Sequence, residues 1–388
     1  MNIIYNAKIL TMEESETVDG YLCWDNGTIS DICAGEPQKS LIKTAESAID
    51  AQGGILMPGL IDAHTHIGGI GDALGFESDD INEVNDPICP QLSAIDCINP
   101  LDRCFTDAVR AGITTVSTGP GSANPIAGRF VTIKTAGKRI DNMVIKAPGA
   151  MKMALGENPK SCYHTHDQSP ETRMSIAALI REALSKAKRY GEDIKSAKEN
   201  EDDLPDYDAK CEALLPCLEG KLPVHFHAHR ADDIFTAIRI ANEFSLKYTI
   251  VHCTEGHLVA DELKQENVNA LVGPIICDRS KPELANLSVQ NAAILAENGI
   301  KFAIISDHPE VPCSYLLTSA AIAVKAGLDR YEALKALTVN PAEILGIDSR
   351  VGTLRAGKDA DMVLFDGDPL ETFSQIKAVW IDGKKQNI

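Results

Sequence analysis

The sequence predicts an α/β protein: a (β/α)8 TIM barrel with a small composite β-sandwich formed by its N- and C-terminal segments. Three observations predict it. Short apolar runs alternate with helical stretches through the middle of the chain. Both ends read instead as short strands and turns. All ten histidines fall between His64 and His308, many of them where the apolar runs end.

The two ends come first. Within residues 1–55, "NIIYNAKIL", "GYLCWDNGTISDIC" and "SAIDAQGGILMPG" alternate apolar and polar positions between Gly and Asn-Gly turns, the pattern of half-buried strands. "VGTLRAGKDADMVLFDGDP" and "IKAVWIDGKK" do the same near the C-terminus. Neither end is long enough to bury a core alone. Together, 1–55 and 350–388 are expected to form one sandwich, leaving 56–349 as the barrel.

In the middle, the candidate strands are "LIDAHTH", "TTVSTG", "VTIKTAG", "AMKMALG", "PVHFHAH", "YTIVHC", "NALVGP" and "FAIISD". "NMVIKAP" competes with "VTIKTAG" for third place. Helical patterns such as "ADDIFTAIRIANEFSL" lie between most of them, and eight strand–helix units suit a barrel. The charged stretch from Ile180 to Glu219 reads as an elaborated helix after strand four with a solvated face.

The 388 residues exceed what one core usually serves. A net charge of -19 argues against nucleic acid or an anionic membrane as partner and leaves a small-molecule substrate. The eleven cysteines are scattered without a CxxC, as reduced thiols in a cytoplasmic protein would be. Nothing resembles a signal peptide, and no apolar run approaches the roughly 20 residues that span a bilayer. A homo-oligomer is expected.

In a barrel the C-terminal strand ends converge on one mouth, where active sites form. His64 and His66 are alternate residues of strand one, so both imidazoles can face one point and bind zinc or a similar ion. His225, His227 and His229 share one face of strand five. Three ligands from one strand would crowd an ion. His227, near the strand end, is taken as the ligand, His225 as a hydrogen-bonded core residue and His229 as a group that touches substrate. His252 ends strand six after a largely apolar run and needs a partner or a metal. Asp307 ends strand eight after "FAIIS", as a metal ligand or a catalytic base, with a helix N-cap as the bland alternative. His257 reads as structural. His164 and His166 fit a loop over the mouth.

"PGLIDAHTH", these histidines, the strand-eight aspartate, "TVNPAEILGI" and "VGTLRAGKDADMVLFDGDP" together resemble the amidohydrolase superfamily over nearly the whole chain. "VHFHAHRADDIFTAI" and "IISDHPEVP" are most similar to its imidazolonepropionase-like and prolidase-like branch. The chain departs from the imidazolonepropionase pattern at Ala228 and His229, where that enzyme places a carboxylate.

The resemblance implies one or two divalent ions such as Zn2+. His64 and His66 would bind the more buried ion, and His227 and His252 that ion or a second one. Asp307 would bind metal and take a proton from the attacking water, whose pKa a metal lowers from about 15.7 to about 7. His229 and His308 are the rival bases. The bridging ligand would be Glu157, just past strand four, or Lys152 within it if carboxylated. Arg173 and Arg279 follow strands four and seven and, with His308, are candidates for substrate binding. The implied reaction is hydrolysis of a C–N bond in a cyclic amide, an N-acyl amino acid or a dipeptide. Deamination of a heterocycle and a non-catalytic barrel are the alternatives.

Overall fold

The computed structural model describes residues 1–14, 17–71 and 75–388. The alternating pattern at the N-terminal end becomes β1 (Asn2–Leu10), β2 (Thr17–Asp25), β3 (Thr28–Ala34), β4 (Ser47–Asp50) and β5 (Ile55–Pro58), with α1 (Lys39–Thr44) between β3 and β4. The C-terminal end supplies β16 (Met362–Phe365), β17 (Ile376–Ile381) and β18 (Lys384–Lys385).

These eight strands form one sheet in the order β18-β17-β16-β5-β1-β2-β3, with β4 beside β1. The two ends of the chain join edge to edge, β5 antiparallel to β16 with Met57 opposite Val363. These strands form one continuous hydrogen-bonded sheet with its own apolar core. Trp24 and Trp380, one from each end of the chain, meet edge to face at 6.2 Å within that core.

The middle holds β6 (Leu60–Thr65), α2 (Arg103–Arg110), β7 (Ile113–Thr118), β8 (Ile126–Arg129), β9 (Val131–Lys134), β10 (Val144–Lys146) and β11 (Met151–Ala154). Three helices follow: α3 (Glu157–His164), α4 (Arg173–Asn200) and α5 (Ala209–Leu218). Then come β12 (Val224–Ala228), α6 (Ala231–Phe244), β13 (Tyr248–His252), α7 (Ala260–Gln265), β14 (Ala270–Val272), α8 (Asn291–Glu297) and β15 (Phe302–Ile304). The stretch read as one elaborated helix is two. Thr172 caps α4, accepting from the Ser175 amide, and Asp208 caps α5, accepting from the Lys210 and Cys211 amides.

β11 to β15 pair in parallel, each with the next. The expectation of eight parallel strands fails at the third. β9 pairs antiparallel to β7, and β10 antiparallel to β9, so the two competing segments form a hairpin together. A parallel return needs a crossover, usually a helix, and the segment between β7 and β9 carries only β8.

β8 joins the other sheet, antiparallel to β11, and Phe130 alone separates it from β9. The two middle sheets thus meet through Phe130. They meet again where the His66 amide donates to the His308 carbonyl at 2.9 Å and the Asp307 amide to the His64 carbonyl at 3.2 Å. That second junction brings the ends of β6 and β15 together.

One buried lysine ties the terminal sheet to the middle. Lys134 of β9 reaches Asp361 at 2.6 Å, Asp359 at 2.8 Å and Asp382 at 3.3 Å. All eleven cysteines are free thiols. Among the described residues no helix is long and apolar enough to cross a membrane.

Candidate metal centre

Every residue of β6 is buried, so its polar side chains must find partners inside the protein. His64 and His66 present Nε2 to Asp307 Oδ1 at 3.6 and 3.4 Å. Asp307 lies just beyond β15 with φ 55, and His252 ends β13 with φ 71. Left-handed backbone is costly for residues with a Cβ and concentrates at functional sites.

A second group lies alongside. His227, His229 and His252 bring one nitrogen each within 4.8 Å of the others, as do the donors of His64, His66 and Asp307. His252 links the two groups, with its ring centroid 5.8 Å from that of His64 and 4.4 Å from that of His227. His229, expected to touch substrate, is a full member of the three-histidine group and stacks on His252 at 4.3 Å.

Four of these rings are fixed through the nitrogen that faces away from the cluster. His66 Nδ1 donates to the Gly119 carbonyl and His252 Nδ1 to the Gly273 carbonyl, both at 2.7 Å. His229 Nδ1 meets Thr254 Oγ1 at 2.7 Å and His227 Nδ1 meets Ser122 Oγ at 2.9 Å. Donation to a carbonyl puts the proton on Nδ1, leaving the Nε2 lone pair of His66 and His252 free to bind an ion.

Burial pushes His252 down to about 4 and His64, His227 and His229 well below the usual range, so these four are neutral at pH 7. For Asp307 burial acts upward, but His252, His66 and Lys152 outweigh it and the carboxyl stays below its ordinary value. Neutral imidazoles with an ionised carboxylate are the donor set that divalent metals take. The residues present therefore fit a metal.

The two candidates for the bridging position part company. Lys152 is fully buried, and its Nζ lies 3.1 Å from His64 Nε2. Burial lowers its pKa to about 7. Glu157 does not reach the histidines. It opens α3, and its carboxylate accepts from the Glu283 amide at 3.2 Å. A residue one step past the strand follows the helix outward, whereas Lys152 inside β11 points inward beside His225 of β12.

The expected substrate contacts also move. Arg173 is committed to the buried carboxylate of Asp233, with Nε–O distances of 3.0 and 3.1 Å. Arg279 is exposed and donates to the Leu287 carbonyl at 3.1 Å. Neither lines the cavity of about 550 Å³ that opens over His66, His227, His229 and Asp307. His308 is buried just outside its lining, with Nδ1 receiving the Cys313 amide at 3.4 Å. His164 and His166 sit exposed at and after the end of α3. His225 is buried as expected but has no hydrogen-bond partner on either ring nitrogen among the described residues.

Three residues were missed from the sequence. Glu283, in a 3-10 turn after β14, is 1% exposed and faces His229. Lys281 is the one Lys or Arg among the described cavity-lining residues. Asp62 accepts from the His64 and Ser306 amides and the Ser306 hydroxyl, bracing the β6–β15 junction, and burial raises its pKa to about 7. Only Asp62 left a sequence signal, standing two residues before His64 in an apolar strand.

Paired β-strands here converge histidines and an aspartate on one cavity, donor groups that could hold a metal ion. The amidohydrolase family model matches residues 55–385, and the chain belongs to that family. It is a hydrolase acting on carbon–nitrogen bonds. A solved amidohydrolase from Thermotoga maritima MSB8 is 36% identical and superposes with a TM-score of 0.95 over 99% of both chains. Amidohydrolase tasK of Hapsidospora irregularis is 31% identical over 87% of this chain, which spans 37% of that protein's length. An imidazolonepropionase from Sphingopyxis alaskensis is 24% identical over 96% of this chain and 93% of its own.

Proposed function

We propose that the chain hydrolyses the C–N bond of a small substrate bearing a carboxylate: a cyclic amide, an N-acyl amino acid or a dipeptide. The observation that carries this is the set of Nε2 atoms of His66, His227, His229 and His252 turned inward while their Nδ1 atoms are held outside the cluster. On this reading the two middle sheets are arcs of one (β/α)8-type barrel, with residues 56–349 as its body and the terminal sheet as its accessory layer.

His64, His66 and Asp307 would hold one divalent ion, and His227, His229 and His252 a second, with zinc the first candidate for this donor chemistry. The ions supply Lewis-acid polarisation and an acidified water. Lys152, carried as a carbamate, would bridge the two groups, formed when its neutral amine adds to carbon dioxide and releases a proton. Full burial beside His64 Nε2 supports Lys152 over Glu157 in that role.

Asp307 takes the proton from the attacking water and returns it to the leaving nitrogen. Its Oδ1 sits between His64 and His66 Nε2, beside the cavity. Lys281, at the wall, attracts the substrate carboxylate, and the walls of Ile70, Ile81, Leu284 and Leu287 suit an apolar body. The similarity to an imidazolonepropionase supports a small C–N substrate.

The test is a screen of acyl amino acids, dipeptides and cyclic ureas with metal-replete protein, read by release of amine and carboxylate. Cleavage of at least one class, abolished by chelation and restored by metal, is the expected result. Ammonia released from heterocycles, with no cleavage of those classes, would favour deamination instead.

A further inference from the structure

We infer that Glu283 is a metal ligand, adding a carboxylate to the His227, His229 and His252 group, and that Glu157 holds it in position. The inference rests on the metal-dependent reading and adds a donor which that reading does not contain.

Glu283 comes from the turn after β14, not from a strand end. Its side chain is 1% exposed, and Oε1 lies 3.5 Å from His229 Nε2 and 3.9 Å from His227 Nε2. Bonds of about 2.0–2.2 Å to a tetrahedral ion separate its donors by about 3.3–3.6 Å, so the spacing to His229 already matches one edge and that to His227 is slightly open.

The other carboxylate oxygen is anchored. Oε2 accepts from the Glu157 amide at 3.0 Å, and the Glu283 amide donates back to Glu157 Oε2 at 3.2 Å. This reciprocal clasp between α3 and the turn fixes one oxygen on main chain and leaves the other aimed at the imidazoles. It also accounts for Glu157, whose carboxylate acts through Glu283 and not on the ion.

A bare buried carboxylate is costly, and Lys281 Nζ supplies the compensating charge at 2.8 Å from Oε1. Lys281 is 30% exposed and also donates to Asn158 Oδ1 at 2.9 Å. When a divalent cation takes the place beside Oε1, the ammonium can swing toward Asn158 and the cavity, where a substrate carboxylate would meet it. Asn158 Nδ2, at 3.4 Å from His227 Nε2, is the neighbouring group that would make room.

The experiment measures bound metal per chain by elemental analysis of full-length protein reconstituted with zinc. Cobalt binding is followed in parallel by visible absorption. Two equivalents in the wild type and one in Glu283→Ala are expected, with the remaining ion on His64, His66 and Asp307. Glu283→Gln, which can still accept from the Glu157 amide, should keep its thermal unfolding profile and bind the second ion at least tenfold more weakly. It stands in for the alanine variant should that one not fold. Glu157→Ala should weaken the second ion, and Glu157→Gln, whose amide oxygen still accepts from the Glu283 amide, should restore it. Equal stoichiometry and affinity in the wild type and both Glu283 variants overturns the inference while leaving the metal reading intact. A wild type that binds no metal overturns both.

Discussion

Lys152 Nζ and His64 Nε2 stand 3.1 Å apart with both side chains fully buried, a lysine and a histidine in one place with no room for two charges. Burial drives both toward neutrality, Lys152 to about 7 and His64 well below its usual value. A carbamate on Lys152 would turn this contact into a shared metal interaction. Lys152→Ala should therefore lose bound metal and activity, and added short-chain carboxylic acids should restore part of both. Glu157→Gln should keep most activity. The reverse pattern would return the bridging role to Glu157.

Asp307→Asn should stay folded and, compared at matched metal content, turn over at least about 100-fold more slowly, since the amide cannot accept the proton. Metal content must be measured alongside. Near-normal turnover at full occupancy would pass the base to another group, with His229 now less available because it faces the second ion position.

Lys281 should set preference for the substrate carboxylate. A charge-assisted hydrogen bond contributes about 1.5–3 kcal/mol, so Lys281→Met should raise KM for acidic substrates by roughly 10- to 100-fold. Capping the substrate carboxylate should cost the wild type a similar factor and the variant little. Equal losses for both proteins would place the anion contact elsewhere.

The terminal sheet should depend on Lys134. Lys134→Met strands Asp361 and Asp359 without their buried cation, and breaking such a pair costs about 3–5 kcal/mol. The sign with pH follows from its pKa. Burial acts downward, but Asp361, Asp359 and Asp382 outweigh it and the value is raised above 10.5. Its contribution is therefore complete below 10.5 and fades only as pH climbs through the raised folded value. Urea unfolding of the variant at neutral pH should show the loss. An unchanged midpoint would mean the cluster is not a tie.

The positions of the candidate donors at strand ends were legible because period-two alternation sets direction. His64, His66, His227, His252 and Asp307 could be placed from apolar runs that end in a polar residue. Lys152 carried the same signal, a lysine between Met151 and Met153 in a fully buried strand, yet a carboxylate just beyond the strand competed with it. Glu283 was not legible, because "SKPELAN" has no periodicity and its glutamate looks like a solvated turn residue until the fold brings it to His229. The direction of β9 was equally hidden, since it depends on β8 pairing with β11 across the chain. The termini showed their strands but not that β5 and β16 would merge them into one sheet.

The most direct test of the account is the divalent metal content of purified protein, read with its hydrolytic activity before and after chelation. The account predicts stoichiometric metal, loss of activity and a lowered melting temperature on its removal, and recovery of both on adding zinc back. Protein that contains no metal, gains neither stability nor activity when metal is added, and still hydrolyses its substrate would contradict it.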